Sequence, residues 1–391
     1  MQSTLTARIT FTRPDDVYPD PARKGLLRAK TQPGNSHYQG VSDLQACTLQ
    51  DWSAANAPAL GIDTVGFDCI DISGFSQLQQ TLETVRKEGR VDAGQALQIR
   101  TELSGQAFKV ANGKRLKILT LGDEGFIMRR AGLNGSIVAP DEQMTPMNGH
   151  DGALAVHADQ DVKGTPLRQI LKGQAGWLFR HDSPHGHNHV SPLLMMNLWI
   201  PLQQISRPLS FMDSTSLDRK RHQLAYALPT DGFLDRDAAL SVNDTWAFLY
   251  DDKQRWYFNP DMNASQAYVF NTLSTPHGAM ILPGEAEAQI LHGQLLKARK
   301  VVRAKDLHAL QQLPQAQAPT LPADTTAPLR AATEALSTLL TQAAVCAQKN
   351  QLPQHDWLAL ADVALDRLVR KSIEVRGVGL LTRDRWPLNK L

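Results

Sequence analysis

The segment "VHADQDVKGTPL", residues 156–167, carries an imidazole and a carboxylate two positions apart. The run "GALAVHADQD" alternates. Side chains on a strand repeat every two residues, so Ala153, Ala155, His157 and Asp159 would share one face. Two donors aimed the same way can chelate one metal ion. A third donor must come from another strand. A second histidine there would give two imidazoles and one carboxylate, the set that leaves open positions in non-haem Fe(II) oxygenases. His-x-Asp alone also serves as a hydrogen-bonded pair at a strand end, so the segment needs a partner. "NTLSTPHGAMILPG", residues 271–284, offers one in His277, which follows a proline and opens an apolar run. Its other reading is a surface histidine at a turn.

Near the chain's end, "RKSIEVR" puts Arg370, Ser372, Glu374 and Arg376 on one face of a strand, with Ile373 and Val375 on the other. A guanidinium binds a carboxylate through paired hydrogen bonds, and a hydroxyl adds one more. A dicarboxylate such as 2-oxoglutarate could be held this way. Arg370 and Arg376 would lie about 20 Å apart on an extended strand, so one carboxylate cannot meet both. Glu374 can neutralise Arg376, which leaves Arg370 with Ser372 as the better anion site. A second cluster, "RHDSPHGHNHVSP", holds His181, His185, His187 and His189. Its Pro184, Gly186 and Asn188 make it a loop, and no carboxylate stays in register. It reads as a solvated loop or a substrate contact rather than a metal site. There is no GxSxG elbow, HExxH or P-loop.

These residues need elements to position them. The chain has 391 residues, room for one large domain with insertions or two domains. With 42% hydrophobic and 20% charged residues it has globular composition. A formal charge of +2 and no basic run argue against nucleic acid. Cys47, Cys69 and Cys346 are scattered, which fits a reducing compartment. The N-terminus lacks a signal-peptide core. The densest apolar stretch, "PLLMMNLWIPL", is short and carries Asn197, so no membrane span is expected. The expectation is a cytoplasmic protein acting on a small molecule, with a homo-oligomer allowed.

Residues 1–149 read as an extension that wraps the core, with 1–60 supplying little of it. Within that extension Leu78, Leu82 and Val85 predict a helix ending at Gly89, and "FKVANGKRLKIL" predicts a hairpin at Asn-Gly. Residues 150–284 hold many short strand-like runs with Pro, Asn and Gly punctuation, the pattern of a sandwich or barrel. Residues 285–369 read as a helical insertion. Its apolar faces run through Leu291, Leu295, Ala298 and Val302, then Leu329, Leu336, Leu340 and Ala343, then Trp357, Leu360, Ala364 and Leu368. The insertion is expected to cover the mouth of the site. Residues 370–391 form the final core strand and tail.

Taken together, "MNLWIPLQQISRPLSFMDSTSL", "QRWYFNPDMNASQAYVFNTLSTPHGA" and "RKSIEVR" resemble the cephamycin-methoxylation-protein and gibberellin-desaturase-like family. That family shares an Asn-x-Trp-x-Pro-Leu strand, a Pro-His-x-Ala turn and an Arg-x-Ser-Ile-Glu-x-Arg strand, and is similar to Fe(II)/2-oxoglutarate oxygenases. The resemblance implies a mainly β fold with helices: a double-stranded β-helix (jelly-roll) core, an N-terminal α/β extension and a helical insertion before the last core strand. It implies Fe(II) on His157, Asp159 and His277, and 2-oxoglutarate on Arg370 and Ser372. Asn197 would stand beside the cofactor. Trp199 would line the pocket and meet substrate. Apart from the resemblance, the residues themselves offer Arg376, His185 and His187 as further candidates to meet substrate. O2 would be consumed, with ascorbate as an allowed reductant, in a hydroxylation, desaturation or related oxidation of secondary metabolism. In the family the Arg-x-Ser strand follows the Pro-His turn closely. The insertion here opens His292 as a rival ligand, although it sits on a helix with no partner at metal spacing. An iron-dependent oxidase or isomerase that needs no 2-oxoglutarate, and a non-catalytic jelly-roll binding protein, are the alternatives.

Overall fold

The computed structural model describes residues 4–30, 42–53, 60–133, 145, 147–150, 152–153, 155–229, 242–314 and 320–383. Two large sheets dominate them. One has ten strands in the spatial order Thr4–Thr12, Ser42–Asp51, Trp256–Phe258, Leu209–Met212, His277–Ile281, His157–Ala158, Val242–Phe248, Gln223–Pro229, Leu27–Ala29 and Val17–Pro19. The other has six, in the order Phe67–Asp71, Gln266–Asn271, Leu193–Gln203, Arg370–Arg383, Lys114–Ala131 and Ala107–Val110. Most neighbours are antiparallel.

Alternation along each strand decides what lies between the sheets. In Leu193–Gln203, the residues Leu194, Met196, Leu198 and Ile200 face away and share a core with Leu78, Leu82 and Val85 of the helix Ser76–Glu88. That helix stops where Gly89 takes φ 68, a left-handed backbone that glycine adopts without strain. The intervening residues of the strand, Asn197 and Trp199, point the other way. Trp199, Phe67, Tyr268 and Phe270 meet Leu209, Phe211 and Tyr257 of the larger sheet in one aromatic cluster. The rings of Phe67 and Phe211 stack 4.9 Å apart and fix the two sheets face to face. The Asn-Gly hairpin forms as expected, with Asn112 and Gly113 both at positive φ.

Three expectations are corrected. First, the N-terminal residues do more than wrap: Thr4–Thr12 pairs along its whole length with Ser42–Asp51 and touches His277–Ile281. Its Ile9 and Phe11 are fully buried, because Leu5, Ala7, Ile9 and Phe11 alternate onto one face. Second, among the described residues the alternating segment around His157 is a strand over His157–Ala158, joined by a bridge from Thr10 to Ala155. Third, the insertion is helical, as Glu285–Arg303, Leu307–Gln311, Ala327–Gln348 and His355–Arg367, but it is not a lid. Its buried residues share a core with Val156, Ala158, Met212, Trp246 and Met280. Those side chains alternate with His157 and His277, so the helices back the outer surface of the larger sheet, away from the histidines. Leu360, expected on the buried face, is 52% exposed; Trp357, Ala361 and Ala364 carry that contact instead. No helix among the described residues is long and apolar enough to cross a membrane.

Candidate metal centre

His157 and His277 are direct cross-strand partners in the larger sheet. Such pairs bring side chains on one face together, and the two ring centroids lie 4.4 Å apart. Asp159 follows just beyond the short strand. Its Oδ1 lies 3.7 Å from His157 Nε2 and 3.9 Å from His277 Nε2. One ligand atom from each of the three lies within 4.8 Å of the others. His292 does not join them; it bonds within the helical layer to the backbone of Leu365.

The orientation of both rings is fixed from behind. His157 Nδ1 lies 2.9 Å from the Ala155 carbonyl oxygen, and His277 Nδ1 lies 3.0 Å from that of Thr275. A carbonyl only accepts, so Nδ1 carries the proton and Nε2 presents a lone pair toward the cleft. Burial and the neighbouring His277 push His157 down to about 4, which keeps its ring neutral and able to bind a metal at ordinary pH. Burial alone would raise Asp159. Arg376 and the two imidazoles outweigh it and hold the carboxyl well below its usual range. Arg376 Nη2 reaches Oδ1 at 3.3 Å, and Asn197 Nδ2 donates to Oδ2 at 3.2 Å.

Two imidazole nitrogens and one ionised oxygen suit a divalent first-row ion. With bonds of about 2.1 Å, donors at right angles sit about 3 Å apart. The two carboxylate–imidazole separations exceed that by less than an ångström, and the three donor atoms all lie within 4.8 Å of one another, close enough for one ion to draw them together. Asn197 Oδ1 and Ser372 Oγ are buried and have no hydrogen-bond partner among the described residues.

The cleft in front of the histidines is lined by Arg129, Ala153, His157, Trp199, Leu209, Phe270, His277, Arg370 and Glu374. The structure therefore brings Arg370 and Trp199 to the histidines. Ser372 lies on the same strand face, fully buried, but is not among the lining residues. Asn197 is spent on Asp159. A Cβ on Gly152 would come within 3.3 Å of Arg370 Nη2, so the glycine makes room for the guanidinium. The expected pairing of Glu374 with Arg376 is corrected. Glu374 takes both a short contact from Arg129 Nε and a bond from Nη2 at 3.2 Å, while Arg376 turns to Asp159. The neighbouring strand Lys114–Ala131 supplies Arg129, and sequence spacing cannot show a partner from another strand.

His185 and His187 do not reach the cleft. His185 sits 3.8 Å from Asp161 and beside Arg23, with its ring 5.7 Å from that of Trp246. His187 stacks on His189 in the small hairpin of His181–Ser183 and Gly186–Asn188. Sequence reasoning missed Arg129. Its only trace was an arginine pair inside the apolar run "GFIMRRA".

A family model described as Oxidoreductase/YMDC permease-like domain matches residues 134–286, a span that includes His157, Asp159 and His277. No curated protein matches the chain. Among solved structures, the chain is similar to "iron and alpha-ketoglutarate-dependent endoperoxidase NvfI with different conformation", at 10% identity and TM-score 0.46, covering 97% of this chain and 98% of that one. A tryptophan-to-phenylalanine variant of the same enzyme gives 11% identity and TM-score 0.45 over 97% and 98%.

Proposed function

We propose that the chain is a mononuclear Fe(II)- and 2-oxoglutarate-dependent oxidoreductase, on a jelly-roll core, acting on a small molecule. The observation that carries this reading is the convergence of His157, Asp159 and His277, with both Nδ1 atoms tied to backbone and both Nε2 atoms turned to the cleft. An oxidoreductase-like family match over the same residues agrees with it. His157 Nε2, His277 Nε2 and one oxygen of Asp159 would hold the metal. Arg370, with Ser372 on its strand face, would take the far carboxylate of 2-oxoglutarate.

Bound together, the metal and 2-oxoglutarate supply O2 activation coupled to loss of CO2 from the keto acid. The chain's own residues set the conditions. Arg376 and Asn197 grip one oxygen each of Asp159, so the carboxylate stays ionised and fixed before any metal arrives. Arg129 holds Glu374 below the usual carboxylate range, against the pull of burial, and keeps that acid from competing for Arg370. Trp199, Leu209 and Phe270 form apolar walls that exclude water from the reacting space. Incubation of Fe(II)-loaded protein with 2-oxoglutarate and O2 tests the reading. Succinate should form in the wild type and not in Asp159→Ala. Metal binding with no succinate under any substrate mixture would replace it with a metal enzyme that needs no 2-oxoglutarate.

A further inference from the structure

Behind the cleft the chain buries an ion pair at an unfavourable stretch of backbone. Arg207 sits at φ 50, a left-handed conformation that side-chain-bearing residues avoid. Arg207 and Glu285 are both buried, at 8% and 2% exposure. Arg207 Nε lies 2.9 Å from Glu285 Oε2 and donates to the Leu133 carbonyl at 2.6 Å. The Arg207 backbone N–H donates to Glu285 Oε1 at 2.8 Å, and the same oxygen accepts from Leu282 N at 3.0 Å. Glu285 thus grips Arg207 at side chain and backbone together.

A buried ion pair is a poor device for stability, because desolvation cancels most of its attraction. Strained backbone persists where the surroundings over-determine it, often at functional sites. The product of this arrangement is one carbonyl. The Arg207 oxygen accepts from Arg370 Nη1 at 3.1 Å. One residue earlier, Ser206 Oγ donates to the Leu368 carbonyl at 2.8 Å, just before the strand that carries Arg370. The 206–207 turn therefore holds both the guanidinium of Arg370 and the chain leading to it. A planar guanidinium with one edge pinned has few orientations left, and Gly152 leaves space on another side.

We infer that Arg207 and Glu285 are positioning residues for Arg370, so that the first turn of the helical insertion braces the carboxylate-binding end of the cleft. This rests on reading Arg370 as the anchor for 2-oxoglutarate. It gives the insertion a task at the site although its helices lie behind the sheet. The left-handed backbone at Arg207 aims the carbonyl, and Glu285 holds that backbone in place. Neither residue touches the three metal donors.

The test uses the full chain with anaerobic Fe(II) and 2-oxoglutarate as the probe in isothermal titration. Arg207→Gly keeps the positive φ without strain and removes the grip. Glu285→Gln keeps the shape but turns a donor toward Arg207 Nε. It is a mild change for the fold, since burial already pushes this carboxyl up to about 7 despite Arg207. Each variant should weaken 2-oxoglutarate binding about tenfold, the scale of one lost hydrogen bond to a charged group. Metal affinity should stay within about twofold. In a double-mutant cycle, Arg207→Gly should add nothing to the loss caused by Arg370→Ala. Unchanged 2-oxoglutarate affinity in both variants overturns the inference alone. So does a parallel fall in metal affinity, or full additivity with Arg370→Ala, either of which marks a purely structural pair. A wild-type chain that binds metal but no 2-oxoglutarate overturns the reading of the site, and this inference with it.

Discussion

Among the described residues, two regions hold a pair of imidazoles and an aspartate, and in one of them the three donors converge as a metal ion would require. In the cleft, His157 and His277 have centroids 4.4 Å apart; in the hairpin, His187 and His189 are 4.6 Å apart. Asp159 lies near both rings of the first pair. In the hairpin, Asp182 lies 3.7 Å from His189 Nε2, and like Asp159 it is paired with an arginine, Arg219 at 2.9 Å. The difference lies in what stands behind the donors. Both cleft imidazoles are pinned by backbone carbonyls, so their free nitrogens converge. His187 and His189 are exposed, with no ring hydrogen bond to backbone among the described residues. Composition is alike in the two places; register and the second hydrogen bond make the site.

The largest expected effect separates the regions directly. His157→Ala, Asp159→Ala or His277→Ala should each cut metal affinity by well over the roughly 100-fold that losing an outer partner costs. His187→Ala combined with His189→Ala should leave it unchanged. Equal losses in both sets would erase the distinction. Next comes the charged rim. Arg370→Ala should weaken 2-oxoglutarate binding by about 2–5 kcal/mol, roughly 30-fold or more, with metal affinity intact. Asn197→Ala should do the reverse, lowering metal affinity by about 10–100-fold through a loosened Asp159. Titration of each variant with metal and with 2-oxoglutarate separates the two patterns.

Smaller effects sharpen the comparison. Burial and the neighbouring His277 push His157 down to about 4 in the folded chain, below the unfolded value of about 6.5. The metal-free chain should therefore lose stability as pH falls from about 6.5 toward 4, because the unfolded state takes up a proton that the folded site resists. The side chain keeps 20% of its surface open, so water offsets part of the cost and the loss should be about 2 kcal/mol. Urea midpoints at several pH values measure it, and His157→Gln should flatten that slope. A steep slope that survives in His157→Gln would assign it elsewhere. The smallest effect is expected at Gly152→Ala, where the new methyl crowds Arg370. A loss of about threefold in 2-oxoglutarate affinity is expected, roughly the scale of a mild repositioning. No loss would mean that Arg370 simply gives way.

Much of the site was legible because it is local. His157 and Asp159 are two residues apart, and Pro276-His277 stands at the head of an apolar run; strand periodicity supplied their direction. Helices were legible for the same reason, as Leu78, Leu82 and Val85 repeat at helical spacing and Gly89 ends them. Partners from distant strands were not. Glu374 pairs with Arg129, and Arg376 with Asp159, across separations of 245 and 217 residues. The role of Thr4–Thr12 was hidden because its polar alternate residues look like a surface segment, although the apolar ones lie flat on the helical layer. The placement of the insertion was hidden too. An amphipathic helix states that it has a buried face, but not which side of the sheet that face covers.

Whether His157, Asp159 and His277 bind one metal ion is decided by anaerobic Fe(II) titration of the metal-free chain, with metal content counted after gel filtration. One ion is expected per wild-type chain, one in the His187→Ala/His189→Ala chain, and none in Asp159→Ala. An Asp159→Ala chain that keeps its ion, beside a hairpin variant that loses it, would move the metal from the cleft to the hairpin.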